Sequence, residues 1–175
     1  MSADINREVA KVVNDTDLGK GTEAAYQSLK DDLQATKAVL KPADYATYVA
    51  KVTEELQKNG TIPQLSIHWA DDILEATGKD GLSRRDLADK QEAASKNKSL
   101  SLDGAFAKVV QDSFEWLRVQ NIDRVPGSKI EKDLVTSSDL EMAMRGRTLT
   151  AEAVTWCGDK LYSNAQTPEF IQFRQ

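Results

Sequence analysis

A near-repeat of two stretches constrains this chain of 175 residues more than any other feature. Residues 69–87 read WADDILEATGKDGLSRRDL, and residues 116–134 read WLRVQNIDRVPGSKIEKDL. Both stretches begin with tryptophan and end in Asp-Leu, and in both a basic residue directly precedes that aspartate. A helix, a glycine-containing turn and a second, capped helix account for this pattern. We therefore expect two helix–loop–helix units related by an internal duplication.

Polar residues near each unit have the spacing of helix caps. Ser83 and Asp86 are three residues apart, as in a capping box, where each side chain bonds the backbone N–H of the other residue. Ser138 and Glu141 have the same spacing beyond the second stretch. We therefore predict one helix beginning after Ser83 and another beginning after Ser138.

The N-terminal part of the chain reads as a short helix followed by a helical hairpin. Apolar residues at helical spacing predict the short helix over residues 3–14 and the hairpin over residues 22–60. Thr22 is placed to cap the first helix of the hairpin, Pro42 suits the first turn of the second, and Gly60 stops it. The two helices should pack antiparallel, because only a short break separates them.

The remaining residues extend this helical pattern. Residues 61–63 read as an extended connector that ends in proline. A longer helix is predicted from Ser101 almost to Asn121. The sequence thus predicts an all-α, single-domain protein of about eight helices over residues 1–175. The duplicated unit, residues 65–145, forms its core. The hairpin of residues 22–60 packs against that core, and further helices are predicted over residues 150–175.

Composition narrows the function classes. Apolar residues make up 40% of the chain and charged residues 29%, a balance that suits amphipathic helices with solvated faces. The formal net charge of −5 argues against nucleic acid as the main partner, because phosphate contacts need clustered Lys and Arg. Cys157 is the single cysteine, which excludes an intramolecular disulfide. We expect an acidic, soluble protein.

No targeting segment or membrane span is evident in the sequence. The N-terminal residues carry charges throughout, unlike a cleaved export signal. No window approaches the roughly 18 apolar residues that a membrane-spanning helix needs. We expect a protein that lies in the cytoplasm or is exported without a cleaved signal peptide.

Common catalytic motifs are missing from the sequence. It has no GK[ST] phosphate loop, no GxSxG and no HExxH, and its one histidine excludes the usual di-iron helical site. The enzyme hypothesis that remains uses His68 with the nearby carboxylates Asp72 and Glu75. A structural role for a lone histidine is the simpler interpretation. The enzyme hypothesis predicts that these three residues line one pocket.

Short motifs in the duplicated region resemble EF-hands. The segments DGLSRRDL and SKIEKDL are similar to the run from an EF-hand loop into its exiting helix. Asn121-Ile122-Asp123 and Asp80-Gly81-Leu82-Ser83 resemble motifs of degenerate EF-hand-like units in some bacterial secreted proteins. The resemblance covers roughly residues 65–145. It implies two units packed face to face, with Leu82 beside Ile130 in a minimal two-stranded pair. The duplication itself predicts that Trp69 and Trp116 are buried in the same core.

The resemblance also raises calcium as the one cofactor to consider. An EF-hand loop that ends at Asp86 begins at Glu75 and supplies side-chain oxygens from Thr77 and Ser83. Lys79, however, falls where the loop needs a carboxylate, and aspartate is shorter than the usual terminal glutamate. In the second unit Asp123 is followed by few side-chain oxygens. Calcium-dependent function is therefore the alternative rather than the leading hypothesis, and no other cofactor is expected.

A non-enzymatic interaction or structural role is the leading hypothesis. The sequence lacks a site motif and offers abundant polar helix surface, which suits docking of another protein. Three large apolar residues near the C-terminus need a surface to pack on, either the core of this chain or a protein partner (Phe170, Ile171 and Phe173).

Overall fold

The structure is a computed structural model, and it describes residues 2–121, residue 127 and residues 133–145. The predicted all-α fold is confirmed, because the chain is mostly helical and contains one two-stranded sheet in this part. The α-helices are α1 Ser2–Asp15, α2 Thr22–Val39, α3 Pro42–Lys58, α4 Thr61–Thr77, α5 Arg84–Lys96, α6 Ser101–Asp112, α7 Phe114–Leu117 and α8 Ser137–Arg145. The strands are β1 Gly81–Ser83 and β2 Leu134–Thr136.

Local signals account for most helix ends. Pro42 opens α3, where a missing backbone N–H costs nothing because first-turn N–H groups have no helical partner. Gly60 and Gly78 follow α3 and α4 at φ 75° and 66°, a left-handed conformation that glycine adopts without a Cβ clash. The predicted capping box at Ser83 and Asp86 is present, and α5 begins directly after it.

Two predicted boundaries are wrong. Residues 61–63 are the first turn of α4 rather than an extended connector, and Asn59 Oδ1 accepts a bond of 3.1 Å from Thr61 N. Proline is tolerated there, since the first helical N–H groups have no intrahelical acceptor. The predicted long helix from Ser101 is interrupted at Ser113, which separates α6 from α7.

The buried apolar side chains of the described helices form one cluster. α6 lies at its centre, against α3, α4 and α5, while α1 packs on α2 and α3, and α2 packs on α4. Trp69 and Trp116 are each 3% exposed and belong to this cluster, as the duplication predicts. The hairpin α2–α3 is therefore joined to the core through α4 and α6.

The sheet corrects the predicted register of the duplication. β1 and β2 are antiparallel, and Leu82 is paired with Val135. The predicted partner Ile130 lies outside the described residues. β2 runs through Val135 and Thr136, whose β-branched side chains favour an extended backbone. The structural repeat thus relates GLSRRDL, residues 81–87, to LVTSSDL, residues 134–140.

The second capping box also differs from the prediction. Thr136 Oγ1 accepts from Asp139 N at 3.2 Å, and Asp139 Oδ2 accepts from Thr136 N at 3.0 Å. The reciprocal bonds therefore join Thr136 and Asp139 rather than Ser138 and Glu141, which both lie within α8. Strand β2 fixes this choice, because it ends at Thr136 and leaves that residue as the cap.

Candidate functional site

A groove of about 510 Å³ lies between α2, α4 and α6. We call it the α2/α4/α6 groove. Each helix contributes residues at helical spacing, so that one face of each helix points into the groove. The lining residues are Tyr26, Leu29, Lys30, Leu33, Trp69, Asp72, Ile73, Glu75, Ala76, Leu102, Asp103 and Phe106.

Three aromatic side chains form the floor of the groove. The rings of Trp69 and Phe106 are stacked with centroids 6.0 Å apart, and Tyr26 meets Phe106 edge-on at 6.3 Å. All three residues are buried. Aromatic pairs in these geometries hold one another in place. The floor is therefore apolar and fixed by packing.

Charged side chains form the rim. Lys30 Nζ lies 2.7 Å from Asp72 Oδ2 and 4.8 Å from the centroid of the Tyr26 ring. Asp103 Oδ1 accepts a bond of 2.9 Å from Trp69 Nε1. Glu75 completes the rim and is exposed. Three carboxylates against one ammonium give the rim a net negative charge.

The buried position of Tyr26 and the carboxylates of the rim determine the protonation of its phenol. Burial, the charge of Asp72, a hydrogen bond with Asp72 and the charge of Asp103 all raise the pKa of the Tyr26 phenol well above its usual range. The phenol therefore keeps its proton at neutral pH. It can donate a hydrogen bond there but cannot serve as a base.

The residues of the enzyme hypothesis are not brought together in this groove. Asp72 and Glu75 line it, but His68 does not. The His68 ring is stacked on Tyr26 with centroids 6.0 Å apart, and His68 Nε2 shares a hydrogen bond of 2.8 Å with Thr22 Oγ1. The predicted cap at Thr22 is wrong, because α2 begins at Thr22 and its N-cap is Gly21. The Thr22 hydroxyl bonds His68 of α4 instead of the backbone of α2.

The predicted calcium loop from Glu75 to Asp86 contains an internal cation. Lys79 Nζ lies 2.9 Å from Asp86 Oδ1, while Asp86 Oδ2 accepts from Ser83 N at 3.0 Å. Thr77 Oγ1 donates to the Ile73 carbonyl oxygen at 2.8 Å. In the part of the chain that the structure describes, no group of three His, Cys, Asp or Glu side chains could hold a metal ion. Calcium binding stays a prediction, as do the roles of Phe170, Ile171, Phe173 and Asp123, which lie outside the described residues.

The two capping aspartates differ electrostatically. Burial raises the pKa of Asp86, but hydrogen bonds from Ser83 and Lys79 outweigh it, so the pKa lies below its usual range. Asp139 is buried more deeply, and this burial raises its pKa despite hydrogen bonds from Thr136 and Asn121. Asp86 is thus stabilised as a carboxylate, whereas ionised Asp139 depends on every donor around it.

Sequence reasoning did not single out two of the lining residues, Lys30 and Asp103. A signal for them exists, because a charged residue directly adjoins an apolar stripe residue at Leu29-Lys30 and at Leu102-Asp103. That signal marks the edge of a buried face, but it does not say which other helix faces that edge.

A cluster of carboxylates lies outside the groove, where the end of α1 meets α2. Asp15 and Asp32 line a hollow there with Asp17 and Asp31. Burial, a hydrogen bond with the Asp15 carboxyl and the charge of Asp15 raise the pKa of Asp32 to about 6, against an ordinary value of 3.8. The folded protein therefore binds more protons at this site than the unfolded chain between about pH 4 and 6.

We expect Asp32→Asn to be more stable than the wild-type protein at pH 7. The raised pKa means that stability falls as pH rises through this window, because ionisation of Asp32 is disfavoured in the folded state. Asparagine removes the ionisation, so the advantage of the variant should disappear as the pH approaches 4. Thermal unfolding of both proteins from pH 4 to 7 measures this, and a difference in melting temperature that does not change with pH would contradict it.

Comparison with protein-family models, with curated proteins and with solved structures finds no match for this chain. Among the described residues, no helix combines the length and the apolar character that crossing a membrane requires.

Proposed function

We propose that this protein is a non-enzymatic docking module whose α2/α4/α6 groove receives a large apolar side chain, flanked by basic residues, from a partner protein. The observation that carries this proposal is an aromatic floor surrounded by a rim of three carboxylates and one ammonium. The floor favours an apolar side chain, and the rim favours positive charge next to it.

The size of the groove fits one anchoring side chain and a few neighbours. A phenylalanine or tryptophan side chain buries roughly 150–250 Å², which at about 25 cal/mol per Å² corresponds to about 4–6 kcal/mol before the costs of association. Because the costs of association offset part of this gain, affinity from one such anchor is weak, with a Kd on the order of 0.1–1 mM. The module would then bind its partner reversibly.

The polar groups of the groove support binding more than catalysis. Tyr26 keeps its proton, Asp72 is paired with Lys30, and Asp103 is bonded to the Trp69 indole. Groups that are already paired orient a ligand and set its charge preference, but they are poorly suited to proton transfer. His68 does not line the groove that Asp72 and Glu75 share, so the three residues of the enzyme hypothesis do not meet there.

The proposal is tested with two synthetic peptides, acetyl-Ser-Gly-Arg-Trp-Lys-Gly-Ser-amide and its acidic counterpart acetyl-Ser-Gly-Glu-Trp-Glu-Gly-Ser-amide. We expect the basic peptide to shift backbone amide NMR signals of groove residues such as Leu29 and Ile73, and the acidic peptide to bind at least about 10-fold more weakly. The full chain is used in these titrations.

A matched pair of variants locates the binding. Ala76 is an exposed groove residue in the last turn of α4, and Ala38 is an exposed residue in the last turn of α2 that does not line the groove. Ala76→Lys should weaken the basic peptide about 10-fold through bulk and charge, whereas Ala38→Lys should leave its affinity unchanged. Equal effects of the two variants, or peptide-induced shifts confined to other surfaces, would refute the proposal.

A further inference from the structure

The groove has a candidate occupant within this chain. We propose that residues 167–175, TPEFIQFRQ, dock in the α2/α4/α6 groove through Phe170 and Phe173, and that they compete there with the external partner. This inference rests on the proposed function and names the regulation of the same site.

The position of α8 places the chain close to the groove. α8 packs against α4, the helix that supplies one wall of the groove. Ser137, the first residue of α8, lines a surface hollow together with Glu75 and Gly78, and Glu75 also lines the groove. α8 is therefore a neighbour of the groove wall, on the side of α4 next to Glu75.

The length of the connecting chain fits this distance. α8 ends at Arg145, which leaves residues 146–166 as a connection to the docking segment. A connection of roughly 20 residues has a span of about 25 Å if it is a coil and about 30 Å if it is a helix. Packed helix axes lie about 8–10 Å apart, so a site on the far side of one helix is well within this span. A tether whose span exceeds the distance only moderately gives a high effective concentration.

The composition of the segment complements the groove. Phe170 and Phe173 are three residues apart, so a single helical turn presents both rings on one side. Glu169 precedes the first ring and Arg174 follows the second. The rings match the aromatic floor, and the two charges can be received by Lys30 and by the carboxylates of the rim.

Competition of this kind weakens the external ligand by a calculable factor. A tethered segment is present at an effective concentration on the order of 1 mM. With an intrinsic Kd on the order of 0.1 mM, it occupies about nine-tenths of the grooves and weakens an external ligand about 10-fold. Removing the two rings should restore that affinity.

A spin label tests the proximity directly. Cys157 is the single cysteine, so Cys157→Ala combined with Gln175→Cys moves the only thiol to the end of the segment for nitroxide labelling. We expect paramagnetic broadening of the amide signals of Leu29 and Ala76, with little effect on Glu54 of α3, which lines a different hollow. The broadening should persist on dilution, because the contact lies within one chain; loss on dilution would indicate docking between copies and contradict the proposal.

Two further variants make the test decisive. Phe170→Ser/Phe173→Ser in the labelled chain should abolish the broadening and, in the unlabelled full chain, should raise the affinity of the basic tryptophan peptide about 10-fold. Unchanged groove signals in the labelled protein, or an unchanged affinity in the double variant, would overturn this inference.

If the peptide binds the groove of the wild-type protein and of the double variant with equal affinity, the docking function stands and only the competition fails. If the peptide reaches the groove in neither protein, the proposed function itself fails.

Discussion

Asp139→Ala should lower the free energy of unfolding by about 3 kcal/mol. Asp139 is 3% exposed, its Oδ1 accepts from Asn121 N at 3.0 Å, and its Oδ2 accepts from Thr136 N and Thr136 Oγ1 at 3.0 and 2.9 Å. One carboxylate thus joins the start of α8 to the chain beyond α7. Alanine removes the acceptor and leaves these donors unpaired at a buried site, which costs more than the loss of an exposed bond.

Asp86→Ala is the matched control for this prediction. Asp86 occupies the equivalent capping position before α5, but it is only partly buried, and it bonds Ser83 N and the exposed Lys79 ammonium. Loss of such a cap costs about 1 kcal/mol. Urea denaturation at neutral pH compares the two variants with the wild-type protein. A loss at Asp86 equal to or larger than that at Asp139 would show that burial of the capping carboxylate does not set the cost of removing it.

Gly104→Ala should destabilise the protein by about 1–3 kcal/mol. A Cβ at Gly104 would lie 2.4 Å from Ala94 Cβ, which is far closer than two carbon atoms can approach. Both residues lie within helices, so relief requires α5 and α6 to move apart rather than a side chain to rotate. Because α6 is central to the core, the movement would disturb its packing against α3 and α4 as well.

Ala94→Gly supplies the compensating change. In the double variant Gly104→Ala/Ala94→Gly the methyl group moves from α5 to α6 and the contact that caused the clash is absent. Ala94→Gly alone should cost about 1 kcal/mol through helix propensity. The double variant should therefore be more stable than the sum of the two single effects predicts. A double-mutant cycle from urea denaturation measures the coupling, and strict additivity would show that the two positions do not meet.

Local chemistry made several helix boundaries predictable. The box at Ser83 and Asp86, the proline at the start of α3 and the glycine after it each act through bonds or clashes within a few residues. The start of α4 was predicted wrongly, because Pro63 is compatible with both an extended connector and a first helical turn. Asn59, whose side-chain oxygen accepts from Thr61 N, favours the helical choice.

The groove could not be predicted from the sequence, for a different reason. Each of its three helices has a recognisable apolar stripe, but the polar contacts between these helices join residues that are far apart in the chain. Lys30 meets Asp72 across α2 and α4, and Trp69 meets Asp103 across α4 and α6. Spacing along one helix indicates which side chains share a face, yet it contains no information on the helix that covers that face.

The sequence by itself determined the helical class and the capping box at Ser83 and Asp86, because these follow from bonds and periodicities within single turns. Only the tertiary structure decided the register of the duplication and the makeup of the groove. Leu82 pairs with Val135 because β2 is formed by the residues next to the second cap, which the tryptophan spacing does not reveal. Strand pairing and helix packing are selected by burial of the whole core, and that free energy depends on all elements together.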